Sequence, residues 1–302
     1  MSDETSASTH SYYVDPETGE EMSRLMRQDR IVTQAMGGPL PEPHNLEKMQ
    51  SILDVACGPG GWVIDVAWRY PHLQVVGVDI SETAISYANL HARERKLRNA
   101  SFRCMNALES LDFPDHSFDL VNARFLVAFL PRTSWPTFIA ECVRVLRPGG
   151  ILRLTEPEVN FTTSAALNTN AGYLAQAMKQ AGLGFSLDGS QFNITPMLAR
   201  LLRNAGCRDI GRRAHVIDIS AGEEAHDGFY ETMVSAALLA RPFLIRMGVA
   251  AQEELDELCQ HTLPQEMMAG DFNALWFVLT VWGTTPTSRE DPRRSSSVLK
   301  IS

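Results

Sequence analysis

Apolar positions along the chain alternate between two kinds of pattern. Short continuous runs, Ile52-Leu53 with Val55 and then Leu73 to Ile80, read as buried strands. Each is followed by apolar residues at helical spacing: Trp62, Val63, Val66, Ala67 and Tyr70 up to Pro71, then Ala84, Ile85, Ala88 and Ala92 behind a capping Ser81. Ala100 to Met105 predicts a third strand, and Leu120-Val121 a fourth running to Asn122-Ala-Arg-Phe125. Ser134-Trp-Pro opens a helix with Phe138, Ile139, Cys142, Val143 and Leu146 on its inner side, Arg147-Pro-Gly-Gly150 stops it, and a fifth strand follows up to Glu156. Strands alternating with helices predict an α/β fold, a Rossmann-like, mostly parallel sheet with helical insertions.

The flanks differ. Met22, Leu25, Met26, Val32 and Met36 recur at helical spacing between Asp15-Pro16 and Gly37-Gly38, predicting an N-terminal helix before a linker from Pro39 to Pro43. Beyond Glu156, residues 168–183 predict a helix rich in small residues, Thr195-Pro196 opens another, and Cys207 to Ile219 holds a sixth strand in which His215 reads as a satisfied strand residue. Gly222 to Gly270 predicts two helices broken at Pro242. The last strand, Asp271 to Trp282, is apolar on both faces, with Ala274, Trp276 and Val278 on one and Leu275, Phe277, Leu279 and Val281 on the other, as a central strand requires.

Composition narrows the function classes. The 302 residues carry a formal net charge of -9, which argues against a nucleic-acid partner, and 44% hydrophobic residues suffice for a globular interior. Five widely spaced cysteines without a Cys-x-x-Cys pair read as thiols in a reducing compartment and give no metal site. No apolar run is long enough to span a bilayer, and the polar start is unlike a signal peptide, so a cytoplasmic location is expected.

The chemistry concentrates at Asp54-Val-Ala-Cys-Gly-Pro-Gly-Gly61, a glycine turn between the first strand and its helix. Glycine there lets a ligand approach the backbone closely beside the unpaired N–H groups of the helix start. A dinucleotide turn wants Gly-x-Gly-x-x-Gly, and Val63 stands at the third place. Asp54 just before the turn would repel a phosphate but suits an ammonium group. Asp79, at the end of the second strand and roughly 20 positions beyond Gly58, is placed for the hydroxyls of a ribose.

This ordered set, with Leu146-Arg-Pro-Gly-Gly-Ile-Leu-Arg-Leu, resembles the class I S-adenosylmethionine (SAM) methyltransferases, in particular the quinone, sterol and natural-product branch. The resemblance implies a seven-stranded sheet in the order 3-2-1-4-5-7-6 with strand 7 antiparallel. It implies SAM as cofactor, S-adenosylhomocysteine (SAH) as its product, and contacts from Asp54, Ala56, Gly58, Gly60, Asp79, Ile80, Asn106, Ala107, Asn122 and Arg30, with Asn106 standing where the family often has an acid beside the adenine. Tyr13 and Phe125 are expected at the methyl-transfer site as aromatic walls, and Glu156 as a catalytic or substrate-contacting carboxylate, against its alternative as a structural one. Phe161, Tyr173 and Phe185 lie in segments expected to line the pocket.

The implied plan is a tail and helical lid over 1–43, a SAM-binding core over 44–156, a substrate-covering insertion over 157–193, the rest of the core over 194–285 with a helical insertion at 222–270, and a disordered tail over 286–302. The expected acceptor is a hydrophobic small molecule of secondary metabolism, methylated at carbon as in the prenyl-chain enzymes of teleocidin-type pathways, or at oxygen. A SAM-binding protein without activity and an NAD(P)-dependent oxidoreductase are the alternatives from other classes. The N-terminal helix or the 222–270 insertion offers a surface for homo-oligomer formation.

Overall fold

The computed structural model describes residues 18–287; Tyr13 and most of the predicted C-terminal tail lie outside them. The strands are β1 (Ser51–Val55), β2 (Gln74–Asp79), β3 (Ala100–Cys104), β4 (Phe118–Arg124), β5 (Leu146–Pro157), β6 (Phe161–Thr162), β7 (Arg208–Asp218) and β8 (Ala274–Thr284). The helices are α1 (Gly19–Ala35), α2 (Gly61–Arg69), α3 (Glu82–Glu94), α4 (Trp135–Val145), α5 (Ala165–Gln180), α6 (Thr195–Asn204), α7 (His226–Arg246), α8 (Gln252–Glu257) and α9 (Leu263–Met267).

The strands form one sheet in the order β3-β2-β1-β4-β5-β8-β7, and β6 prolongs β5 along the same side of β8. Strands β1 to β5 run parallel, and β8 lies antiparallel between β5 and β7. That is the expected class I order with the two-residue β6 added. The central position of β8 follows from its two apolar faces: Ala274, Trp276 and Val278 are buried, while the other face is open at Leu275 and closed by Val281.

Alternation along each strand divides the core. Ile52, Val75 and Leu120 pack under Trp62, Val63 and Val66 of α2 and Ala88 of α3. Leu53, Val121, Leu152 and Leu154 face Phe138, Ile139 and Cys142 of α4 and Leu198 and Leu202 of α6. A further apolar cluster joins α1, α5 and α7 to β8 through Val32, Leu167, Phe229, Trp276 and Val278, and roofs the carboxyl edge of the sheet.

Three sequence expectations need correcting here. The Arg147-Pro-Gly-Gly150 turn lies within β5, which already pairs at Leu146 opposite Phe118 and shifts register before Leu120 meets Ile151. Pro242 does not break its helix: α7 runs through it from His226 to Arg246. A proline leaves the carbonyl four residues earlier without its usual donor. Here Arg241 Nε donates to that carbonyl, of Leu238, at 3.3 Å, and the same guanidinium pairs with Asp256 at the end of α8. His215 also departs from its reading, since its buried Nε2 has no hydrogen-bond partner.

Among the described residues, no helix is long and apolar enough to cross a membrane.

Candidate active site

The carboxyl ends of β1, β2, β3, β4 and β5 open on a single cavity of about 310 Å³, closed from above by α1, α5 and α7. Its two halves differ in chemistry. Over β1 to β3 it is lined by the glycine turn and by Asp54, Asp79 and Asn106. Over β4, β5 and β8 it is lined by Phe125, Phe129, Trp276, Met178 and Met233, with Glu158, Asn160 and Asn170 among them.

The turn after β1 is built for close approach. Ala56 and Gly58 adopt positive φ, 58° and 53°, and both line the cavity. Gly60, also left-handed, faces the other way: a Cβ there would come within 2.6 Å of the Phe102 ring and 2.8 Å of Ala88. It is required by packing and does not line the cavity, a correction to its expected role as a contact. Val63 is fully buried in the α2 core, so the place where a dinucleotide turn has glycine is filled by an aliphatic side chain.

Asp79 ties the turn to the second strand. Its Oδ2 accepts from Gly58 N at 2.8 Å and its Oδ1 from Ser81 N at 3.0 Å, while Ser81 Oγ caps α3 by accepting from Ala84 N at 3.0 Å. These bonds fix the carboxylate at the cavity wall, beside Ile80, which is 46% exposed. Asn106 and Ala107 line the next stretch, but Asn106 Oδ1 already accepts from Leu108 N and its Nδ2 donates to Glu109. The side-chain carbonyl expected to read an adenine is therefore engaged in a local turn.

Asp54 is the end of a buried polar chain. Asn122 Nδ2 donates to Asp54 Oδ1 at 2.7 Å, Arg153 Nη1 donates to Asn122 Oδ1 at 2.7 Å, and Arg153 Nε and Nη2 donate to the Glu42 carboxylate at 3.0 and 2.9 Å. Asn122, Arg153 and Glu42 are all buried and none of them lines the cavity. Asn122 is thus a positioning residue behind Asp54 and not the ligand contact expected for it. Burial pushes the Asp54 carboxyl up to about 7, against the pull of Arg124 and of the Asn122 bond. A carboxyl held at that poise favours a cationic partner in the cavity, which would draw it to the ionised form.

Glu156 is corrected in the same sense. It is fully buried, absent from the cavity wall, and its two oxygens accept from Leu126 N at 2.8 Å and Val127 N at 3.1 Å. It pins the short helical turn after β4, and burial pushes it up to about 8. That turn begins at Phe125, held at φ 60° and stacked on Trp276 with ring centroids 5.9 Å apart. A positive φ at a bulky residue is strained and persists because its surroundings hold it.

From α1 the cavity receives Met22, Arg24, Leu25, Gln28 and Asp29. Arg30, the expected contact, is exposed and does not line the cavity; one residue of helix rotates it about 100° from the Met22-Leu25-Asp29 face. Asp29 instead pairs with Arg124, whose guanidinium also lies over the Trp62 ring. Of the other aromatics expected at the pocket, Phe161 is 64% exposed, Tyr173 donates outward to Glu254 and Phe185 packs on Trp135. Phe129, Phe192 and Trp276 take their place.

A family profile described as a methyltransferase domain matches residues 52–150, the span from β1 to the first part of β5. Residues 52–150 are thus similar to a methyltransferase domain. A demethylmenaquinone methyltransferase of Geobacillus stearothermophilus is 36% identical to this chain over 108 residues, 35% of this chain and 45% of that enzyme. A probable methyltransferase, ltbC, of Aspergillus luteorubrus is 26% identical over 189 residues, 61% of this chain and 65% of its own length. The chain therefore spans less than half the length of the first relative. Among solved structures, an O-methyltransferase family protein of Burkholderia thailandensis has the same fold, with a TM-score of 0.51 at 15% identity over 88% of this chain and 59% of that one.

Proposed function

We propose that the protein transfers the methyl group of SAM to a hydrophobic small molecule, and that the cavity over β1 to β5 holds both. The observation that supports this reading is the division of that cavity into a carboxylate-lined half and an apolar half. Asp54, poised near 7 by burial, would take the ammonium group, Asp79 the ribose hydroxyls, and the positive-φ backbone at Ala56 and Gly58 admits a ligand at van der Waals distance. Two carboxylates and a filled third-glycine place do not suit a pyrophosphate. SAM supplies, when bound, a methyl group already activated on a sulfonium. The protein's own part is to orient the acceptor and exclude water, which proximity can make the main source of rate.

Carbon is the favoured acceptor, in a prenyl or other terpenoid chain. A hydroxyl acceptor needs a base for its proton. Among the described residues the carboxylate in the apolar half is Glu158, whose oxygens already accept from Phe192 N, Asn193 N, Thr195 N and Thr195 Oγ1. The stacked Phe125 and Trp276 rings offer π faces that suit a developing cation instead. In this reading α1 serves as the lid and residues 157–193 cover the acceptor.

Titrating the protein with SAH and, separately, NADPH by calorimetry tests the donor. SAH binding alone is expected, and binding of NADPH alone would overturn the reading. A labelled-methyl transfer screen with product analysis then distinguishes carbon from oxygen.

A further inference from the structure

The apolar half of the cavity contains two amides with nothing to bond. Asn170 sits on the face of α5 that carries Leu167, Ala171, Leu174 and Met178, all of which line the cavity. It is only 7% exposed, and its side chain makes no hydrogen bond among the described residues. Asn160, on the loop after β5, lines the same cavity, and its buried Oδ1 likewise accepts none. That loop is fixed, because the neighbouring Glu158 carboxylate accepts from the backbone at Phe192, Asn193 and Thr195.

Several asparagines elsewhere among the described residues are paired. Asn122 is bonded on both sides, Asn99 Nδ2 donates to the carbonyls of Ala67 and Leu73, and Asn168, two residues before Asn170, donates to Thr162 O. An amide without a protein partner adds little to folding, and a leucine at 170 would suit the neighbouring Leu167, Leu174 and Met178 better. Stability alone does not account for them. Both lie on the β5 and α5 side of the cavity, across β4 from the Asp54 and Asp79 wall, so they are placed beside the acceptor and away from the donor's polar groups.

We propose that Asn160 and Asn170 are the polar anchor of the acceptor site, and that the acceptor is an apolar molecule carrying one hydroxyl or carbonyl head group that these amides grip. An amide offers both a donor and an acceptor, so either head group can be matched. The anchor fixes which end of an otherwise featureless apolar body lies beside Phe125, and so which atom is presented for methylation. This rests on the reading of the apolar half as the acceptor site.

The test uses the full chain loaded with SAH and two probes of like shape, 2-naphthol and 2-methylnaphthalene, titrated by fluorescence. The ratio of the two dissociation constants is expected to shift about tenfold against 2-naphthol in Asn170→Leu, the loss of one hydrogen bond to a buried group. Asn160→Leu is expected to act in the same direction. The melting temperature of Asn170→Leu without ligand should rise, because an unpaired amide is removed. A ratio unchanged in both variants, or failure of both probes to bind the SAH-loaded protein, would overturn the anchor. Failure of SAH itself to bind is a separate result, which removes the donor reading.

Discussion

Binding at Asp54 should carry a proton signature. Burial raises this carboxyl to about 7 in the free protein, so at pH 6 it is mostly protonated. A bound ammonium group favours the carboxylate, so binding below pH 7 must expel the proton, and affinity rises with pH until the carboxyl is ionised beforehand. For a group at about 7, the free carboxylate is roughly one part in eleven at pH 6, which predicts about tenfold weaker SAH binding there than at pH 8. Calorimetry at pH 6 in two buffers of different ionisation enthalpy should show close to one proton released per ligand bound. Asp54→Asn removes the titrating group, and its weaker binding should lose this pH dependence. The reasoning fails if wild-type affinity is flat from pH 6 to 8 with no proton released, or if Asp54→Asn retains the wild-type profile.

The chain behind Asp54 and the carboxyl under the β4 turn give two further expectations. Arg153→Met leaves Glu42 buried without its guanidinium and should cost about 3 to 5 kcal/mol in denaturant unfolding, with most of it recovered in Glu42→Leu/Arg153→Met; equal losses in both would refute the pairing as the cause. Glu156 is raised from 4.5 to about 8, so the folded protein keeps a proton that the unfolded chain releases, and this contribution to stability is lost as pH rises through that interval. Glu156→Gln should flatten the fall of melting temperature between pH 5 and 8 and leave SAH affinity within about threefold of wild type, as a group that accepts only from Leu126 and Val127 requires. An undiminished slope would refute it.

The strand-turn-helix that carries Asp54 and Gly58 was legible because its determinants are local: apolar run, carboxylate, glycines, and a second carboxylate at the next strand end. The order of the sheet came from the family resemblance that those motifs carry, and only the central place of β8 was read from its own two apolar faces. What the sequence concealed depends on partners far away in the chain. Nothing near Asn122 announces Arg153, and nothing near Arg153 announces Glu42, 111 positions earlier, so the amide read as a ligand contact when it is spanned on both sides. Glu156 was misread for the same reason, its N–H donors lying 30 and 29 residues before it. Arg30 was a different error: the Met22 and Leu25 spacing already pointed to position 29, and the choice of a cation over its neighbour ignored helical phase.

Pro242 was read by propensity alone, and the side chain that spares the helix stood next to it. Arg241 is in effect a splint across the proline. The cavity residues Met233, Ala236, Ala237, Ala240 and Leu244 lie on both sides of that position, on one unbroken helix. Their shared alignment therefore hangs on a half-exposed guanidinium and its Asp256 partner, well outside the cavity. A surface ion pair is ordinarily worth little to stability. This one sits beside the proline that would otherwise leave Leu238 O bare, so loss of Arg241 or Asp256 is expected to loosen α7 at that point while leaving every residue of the cavity wall in place.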